Sequence, residues 1–268
     1  MNRALFRAML KQHRKKIVKL STGIILYEGL LTWVYPVISK NPAVTEIAES
    51  IPSAVKTVFG VSEEARVDTF EAFISAQFFA RIWVMLMALY NVQTTNDLLA
   101  KLVDDGSLAF LLSTPVSRNE ILITQAMVLL TANSLLIIAT LVGLYGGAYR
   151  FEIPIDHWQY FRFGILGLAF YSLIGAYSLF FSAYLAEGES AFTYAAGLTL
   201  GFYALDVAGG LSDKLSWARK LSLFQWYQPQ QVLEGTVDPK GMILGLTAGA
   251  AILFNLGIRV FEEKDLAI

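Results

Sequence analysis

Apolar residues run along the chain in six long stretches, and nearly all the charge is gathered in the polar segments between them. A helix that crosses a bilayer needs roughly 20 predominantly apolar residues. Six stretches meet that requirement: 17–39, 72–94, 119–147, 159–185, 190–210 and 240–260. The third and fourth are the clearest, because Ile121–Tyr149 and Phe163–Ala186 carry no charged side chain. Arg81 interrupts the second, and the fifth, rich in Gly and Ala, meets Asp206 near its end. The pattern predicts an all-α polytopic membrane protein: six transmembrane helices forming a single transmembrane domain over 1–268.

The segments between the stretches add orientation. In 3–16, Arg3, Arg7, Lys11 and Arg14 recur at spacings of three and four, with Leu5, Phe6, Met9 and Leu10 on the other face. Such a helix is suited to lie in the interface plane. With Lys15, Lys16 and Lys19 it makes the amino end strongly positive, so that end is expected to stay cytoplasmic. An even number of spans then puts both termini inside. Leu20–Ser39 is longer than a signal-peptide core and carries Glu28, so it is expected to be an uncleaved first span. Segments 40–71, 148–158 and 211–239 fall outside; 95–118 and 186–189 fall inside. Ala43–Phe59 has apolar positions at helical spacing around Pro52, which predicts short amphipathic helices on the outer leaflet. Leu211–Val237 carries Trp217, Phe224, Trp226 and Tyr227, residues that favour the membrane–water boundary.

Composition narrows the chemistry. Charged residues make up 16% of the chain, against about 25% for a soluble domain. Cysteine is absent, which excludes thiolate metal sites and cysteine nucleophiles. His13 and His157 are expected at opposite sides of the membrane, so no metal site is expected. No Gly-x-x-x-x-Gly-Lys-(Ser/Thr) phosphate loop, Gly-x-Ser-x-Gly elbow or His-Glu-x-x-His motif occurs. The chain is therefore not expected to be an enzyme, and a net charge of −1 argues against nucleic acid as a partner.

The most informative stretch is 95–118. Asn96-Asp97 can cap a short helix containing Leu98, Leu99, Leu102 and Val103, which Asp104-Asp105-Gly106 would end. Ser117-Arg118-Asn119-Glu120 reads as a capping box opening the third span. The run Asp104-Asp105-Gly106-Ser107-Leu108-Ala109-Phe110-Leu111-Leu112-Ser113-Thr114-Pro115-Val116-Ser117-Arg118 resembles the acidic-Gly-x-Leu-x-x-Leu-Leu-x-x-Pro-(Val/Ile)-Ser-Arg signature of ABC-2 type transporter permeases. The ending Phe261-Glu262-Glu263-Lys264-Asp265-Leu266 is similar to that family's aromatic-x-x-(Lys/Arg)-Asp-(Leu/Ile) tail.

The resemblance implies a permease subunit of a type V-like ABC exporter in a bacterial or archaeal plasma membrane. It would work as a homodimer or heterodimer beside a separate ATPase subunit that holds ATP and Mg. It implies that 96–105 is a coupling helix, with Asp97, Leu98, Leu99, Leu102, Asp104 and Asp105 against the ATPase and Glu187-Gly188-Glu189 as a second contact. It also implies a dimer seam on the fifth span, for which Gly197 and Gly201 are candidates; packing within the chain is the competing explanation. The cargo class that best suits apolar spans and aromatic outer loops is a hydrophobic or amphipathic one, with peptide first.

Ionisable residues inside a span are costly and point to function by default. Glu28 and Arg81 each lie eleven residues from the inner end of their span, or roughly 16 Å deep at the helical rise. They could pair, line a pathway together, or merely fix packing. An ion-coupled secondary carrier using Glu28, Arg81 and Asp206 is the alternative, though no inverted repeat supports it.

Overall fold

The computed structural model describes residues 1–39, 69–185, 187–211 and 213–264. The amphipathic helices expected over Ala43–Phe59 lie outside the described residues. Among those described, six helices are long and apolar enough to cross a membrane, and no strand occurs. Span one is α1 (Arg3–Ser39). Span two is built from α2 (Phe70–Ile74), a π-helical α3 (Ser75–Trp83) and α4 (Val84–Leu98). Two short helices follow, α5 (Ala100–Asp104) and α6 (Ser107–Leu112). Spans three, four and five are α7 (Arg118–Arg150), α8 (His157–Leu185) and α9 (Gly188–Leu211). After α10 (Ser216–Leu221) and α11 (Pro229–Leu233), span six is α12 (Lys240–Glu263).

The basic stretch 3–16 continues into span one without a break, as the opening turns of a 37-residue helix. At 1.5 Å per residue such a helix is roughly 55 Å long, nearly twice the thickness of the roughly 30 Å hydrocarbon core. Leu5, near its start, shares a buried cluster with Leu99, Leu108, Ile121 and Phe261. The beginning of α1, the two short helices, the start of α7 and the end of α12 therefore meet at one end of the bundle, called here the near end.

In lipid the hydrophobic effect does not draw helices together, so close backbone approach and hydrogen bonds must do so. Both are present. Of the buried positions of α1, Ile17, Ile24, Glu28 and Thr32 form one narrow stripe on the helix that packs along α7. α7 answers with Gly143 and Gly147: a β-carbon on Gly147 would fall 2.8–2.9 Å from the Thr32 side chain. Between spans two and three, Trp83 donates its indole N–H to Thr140 at 3.0 Å, and Asn91 and Asn133 exchange amide bonds of 3.2 and 2.8 Å. Tyr177 and Thr199 join spans four and five through their hydroxyls at 2.5 Å. On span six, Gly245 lies under Trp226 and Gly249 against Leu173, so these two glycines serve packing within the chain.

The segment before span six departs from the expected interfacial layer. Trp217 and Trp226 are exposed, but Phe224 and Tyr227 turn into the bundle and are buried. The Tyr227 ring stacks on Phe170 with centroids 4.9 Å apart and also meets Trp83, Phe163 and Tyr171. Composition marks all four aromatics as boundary residues; which of them turn inward depends on the chain path, which composition does not carry. Asp238 closes this segment by accepting from the Lys240 N–H at 3.1 Å and from the Arg162 guanidinium. The backbone N–H first, and the cation second, hold its carboxyl below the usual carboxylate range.

Candidate functional site

The near end carries most of the residues expected to meet an ATPase, in an arrangement different from the one expected. Asn96 and Asp97 do not cap a new helix; they sit in the last turn of α4, which runs on to Leu98. The helix breaks at Leu99, whose φ of −133° and ψ of −67° are not helical, and α5 begins at Ala100. Leu98 and Leu99 are both fully buried. They are core, and cannot form the face offered to a partner; Leu102 is half-buried against the cluster that holds Leu99. The apolar spacing was readable from the sequence, but spacing does not tell whether an apolar face meets its own bundle or another protein.

What is exposed lies further along. Gly106 joins α5 to α6 with φ of +67°, a left-handed conformation that glycine adopts without a Cβ clash. α6 is anchored by Leu108, which is buried, while Phe110 two residues on points away and is 79% exposed. Phe110 is thus the large apolar side chain that α6 turns away from the bundle. α7 then opens as expected: the Ser117 hydroxyl accepts from the Glu120 N–H at 3.2 Å.

Asp97, Asp104, Asp105 and Glu189 are brought together with Asn96 and Lys101 around a groove of about 420 Å³. The two loops singled out in the sequence are joined directly: the Asp104 carboxylate accepts from the Gly188 backbone N–H at 2.7 Å, at the start of α9. A carboxylate there satisfies an orphan N–H and the positive helix end at once. Asp97 pairs with Lys16 of α1 at 3.6 Å. Glu187 is exposed and accepts from the Ser190 hydroxyl at 2.8 Å, a local bond. The groove is thus acidic, with Asp105 and Glu189 both exposed on its rim.

The intramembrane charges are not brought together. Glu28 is fully buried against Gly143, and among the described residues neither of its carboxylate oxygens has a hydrogen-bond partner. The Glu28–Arg81 pair is therefore not formed; Arg81 is engaged elsewhere. Equal depth along two helices does not give equal direction around them. Asp206 pairs with Arg219 at 3.3 Å. Gly197 and Gly201 lie exposed on α9, with nothing within 4 Å of the place a β-carbon would occupy. Sequence reasoning missed Phe110 as the exposed member of its signature, and missed the groove, which is assembled from segments over 80 residues apart.

A family model described as "ABC-2 family transporter protein" matches residues 29–266. No curated protein matches the chain.

Proposed function

The chain belongs to the ABC-2 transporter family and is a transmembrane subunit of an ABC transporter, and from that premise we propose that it is the permease of an exporter. Its near end faces the cytoplasm in this reading, with both termini inside. A separate nucleotide-binding subunit, loaded with ATP and Mg, docks on α5–α6 and the acidic groove beside Gly188. Phe110 is the apolar anchor of that docking, and Asp105 and Glu189 are its charged rim. A buried aromatic surrounded by a polar rim is the usual energetic plan of a protein interface. The partner surface should accordingly offer an apolar pocket with basic residues near it.

The observation that supports this reading best is the bond from Gly188 to Asp104, which makes one platform of two loops that the family signature alone would leave separate. Force applied there reaches spans two, three and five together. A second permease copy, seated on the open Gly197/Gly201 face of α9, completes the pathway, and the cargo is hydrophobic or amphipathic, with peptide placed first. The test is purification of the tagged chain from its native membrane. A nucleotide-binding subunit should accompany it, and should be lost on Phe110→Asp while the permease stays folded. Retention of the subunit by that variant would remove Phe110 from the interface.

A further inference from the structure

The end of span six is fastened to the base of the coupling platform. The four last carbonyls of any helix lack partners within it. Here Arg118, the first residue of α7, donates from one guanidinium nitrogen to two of them: the Glu262 carbonyl at 3.2 Å and the Lys264 carbonyl at 2.6 Å. Beside it, the Asn119 amide donates to the Glu262 carboxylate. From the other side, Lys264 donates its ammonium to the Tyr184 carbonyl in the last turn of α8. Beneath these bonds the Phe261 ring is 1% exposed, in the cluster that includes Leu99, Leu108, Ile121 and Ala183.

Each contact has a plain physical role. A cation at a helix carboxyl end meets both the unpaired carbonyls and the negative end of the helix dipole. A guanidinium on carbonyls makes charge-assisted bonds, stronger than neutral ones. Because Ser117 fixes where α7 begins, Arg118 is held one residue past a rigid cap. The bonds span 144 and 146 residues of sequence, so they are not a local turn.

We propose that Phe261–Lys264 and Arg118 form a clasp that makes span six a moving part of the coupling unit. Displacement of α5–α6 by the ATPase would reach α12 through Arg118, as well as reaching α7 through the chain itself. Arg118 is then a positioning residue: it touches neither nucleotide nor cargo. The proposal rests on the ATPase-docking role assigned above to the near end.

The chain has no cysteine, so a single engineered pair can be read cleanly. In the complex purified with its ATPase, Asn119→Cys with Glu262→Cys should form a disulfide in the nucleotide-free and vanadate-trapped states alike. The locked complex should hydrolyse ATP within about twofold of its reduced form, because a link that does not open during the cycle can be made covalent. Arg118→Gln should keep the ATPase bound but lower its turnover by about fivefold, with Arg118→Lys recovering most of it, as a Lys can still donate to the carbonyls. Loss of turnover on locking, or cross-linking confined to one nucleotide state, overturns the clasp, and so does full turnover in Arg118→Gln. If no ATPase accompanies even the unmodified chain, the docking assignment fails first, and the coupling role of the clasp falls with it.

Discussion

Glu28 of span one and Gly143 of span three face each other so closely that a β-carbon on Gly143 would overlap the Glu28 carboxylate. Gly146, on the same helix, has open space at that position. Gly143→Ala should therefore destabilise the protein by about 1–3 kcal/mol, as overpacking does, while Gly146→Ala should leave it at least as stable. Thermal unfolding in detergent checks both; equal effects would mean that the α1–α7 seam is looser than described.

Glu28 itself has no ionic partner among the described residues. An isolated charge so deep in a span is costly, and an isosteric amide avoids that cost. Glu28→Gln should consequently fold at least as stably as the unmodified chain. A clear drop in its unfolding temperature would show that the acid is held by a partner it needs.

Asn91 and Asn133 are both fully buried and share two hydrogen bonds. Replacing Asn91 by Leu leaves the Asn133 amide without either bond, and replacing Asn133 leaves Asn91 only its 2.8 Å bond to the Met87 carbonyl, each at a cost of about 1–3 kcal/mol. Replacing both should cost less than the sum, with a coupling of about 0.6–2 kcal/mol. A double-mutant cycle in mixed micelles measures this; strict additivity would mean that the pair contributes nothing as a pair.

The sequence carried the six helices and the Ser117 cap legibly, because both are written locally, in apolar run length and in residue order over one turn. Direction around a helix and contact between distant segments are not written so. Leu98 and Leu99 look like a docking face until the start of α1 and the ends of spans three and six are seen to pack around them. Tyr227 looks like an interfacial anchor until its chain turns inward onto Phe170. Arg118 is prominent in the signature, yet its partners lie at the other end of the chain. The resemblance drew attention to 96–118, but the large apolar side chain exposed there is Phe110.

Asp104 holds Gly188 through a backbone bond, and a β-carbon on Gly188 would sit 2.5 Å from the Asp104 carboxylate. Asp104→Ala should weaken the start of span five by about 1 kcal/mol, the usual worth of such a cap, and loosen ATPase retention. Asp104→Asn keeps an acceptor and should behave nearly as the unmodified chain. If Asn fails as badly as Ala, charge on the groove matters more than the bond to Gly188.

The burial pattern of the near end separates two classes of variant. Leu98→Asp and Leu99→Asp bury an unpaired charge and should lower the yield of folded protein itself. Phe110→Asp should leave unfolding unchanged while weakening ATPase binding by roughly 30-fold, the loss expected of an interface anchor worth about 2 kcal/mol. The deciding measurement is therefore the amount of nucleotide-binding subunit retained by the intact and Phe110→Asp proteins, purified side by side from native membranes. The exporter assignment predicts a stoichiometric ATPase with the first and almost none with the second, at equal permease stability. An unmodified permease that purifies in transport-competent form with no nucleotide-binding subunit, driven by an ion gradient instead, would contradict it.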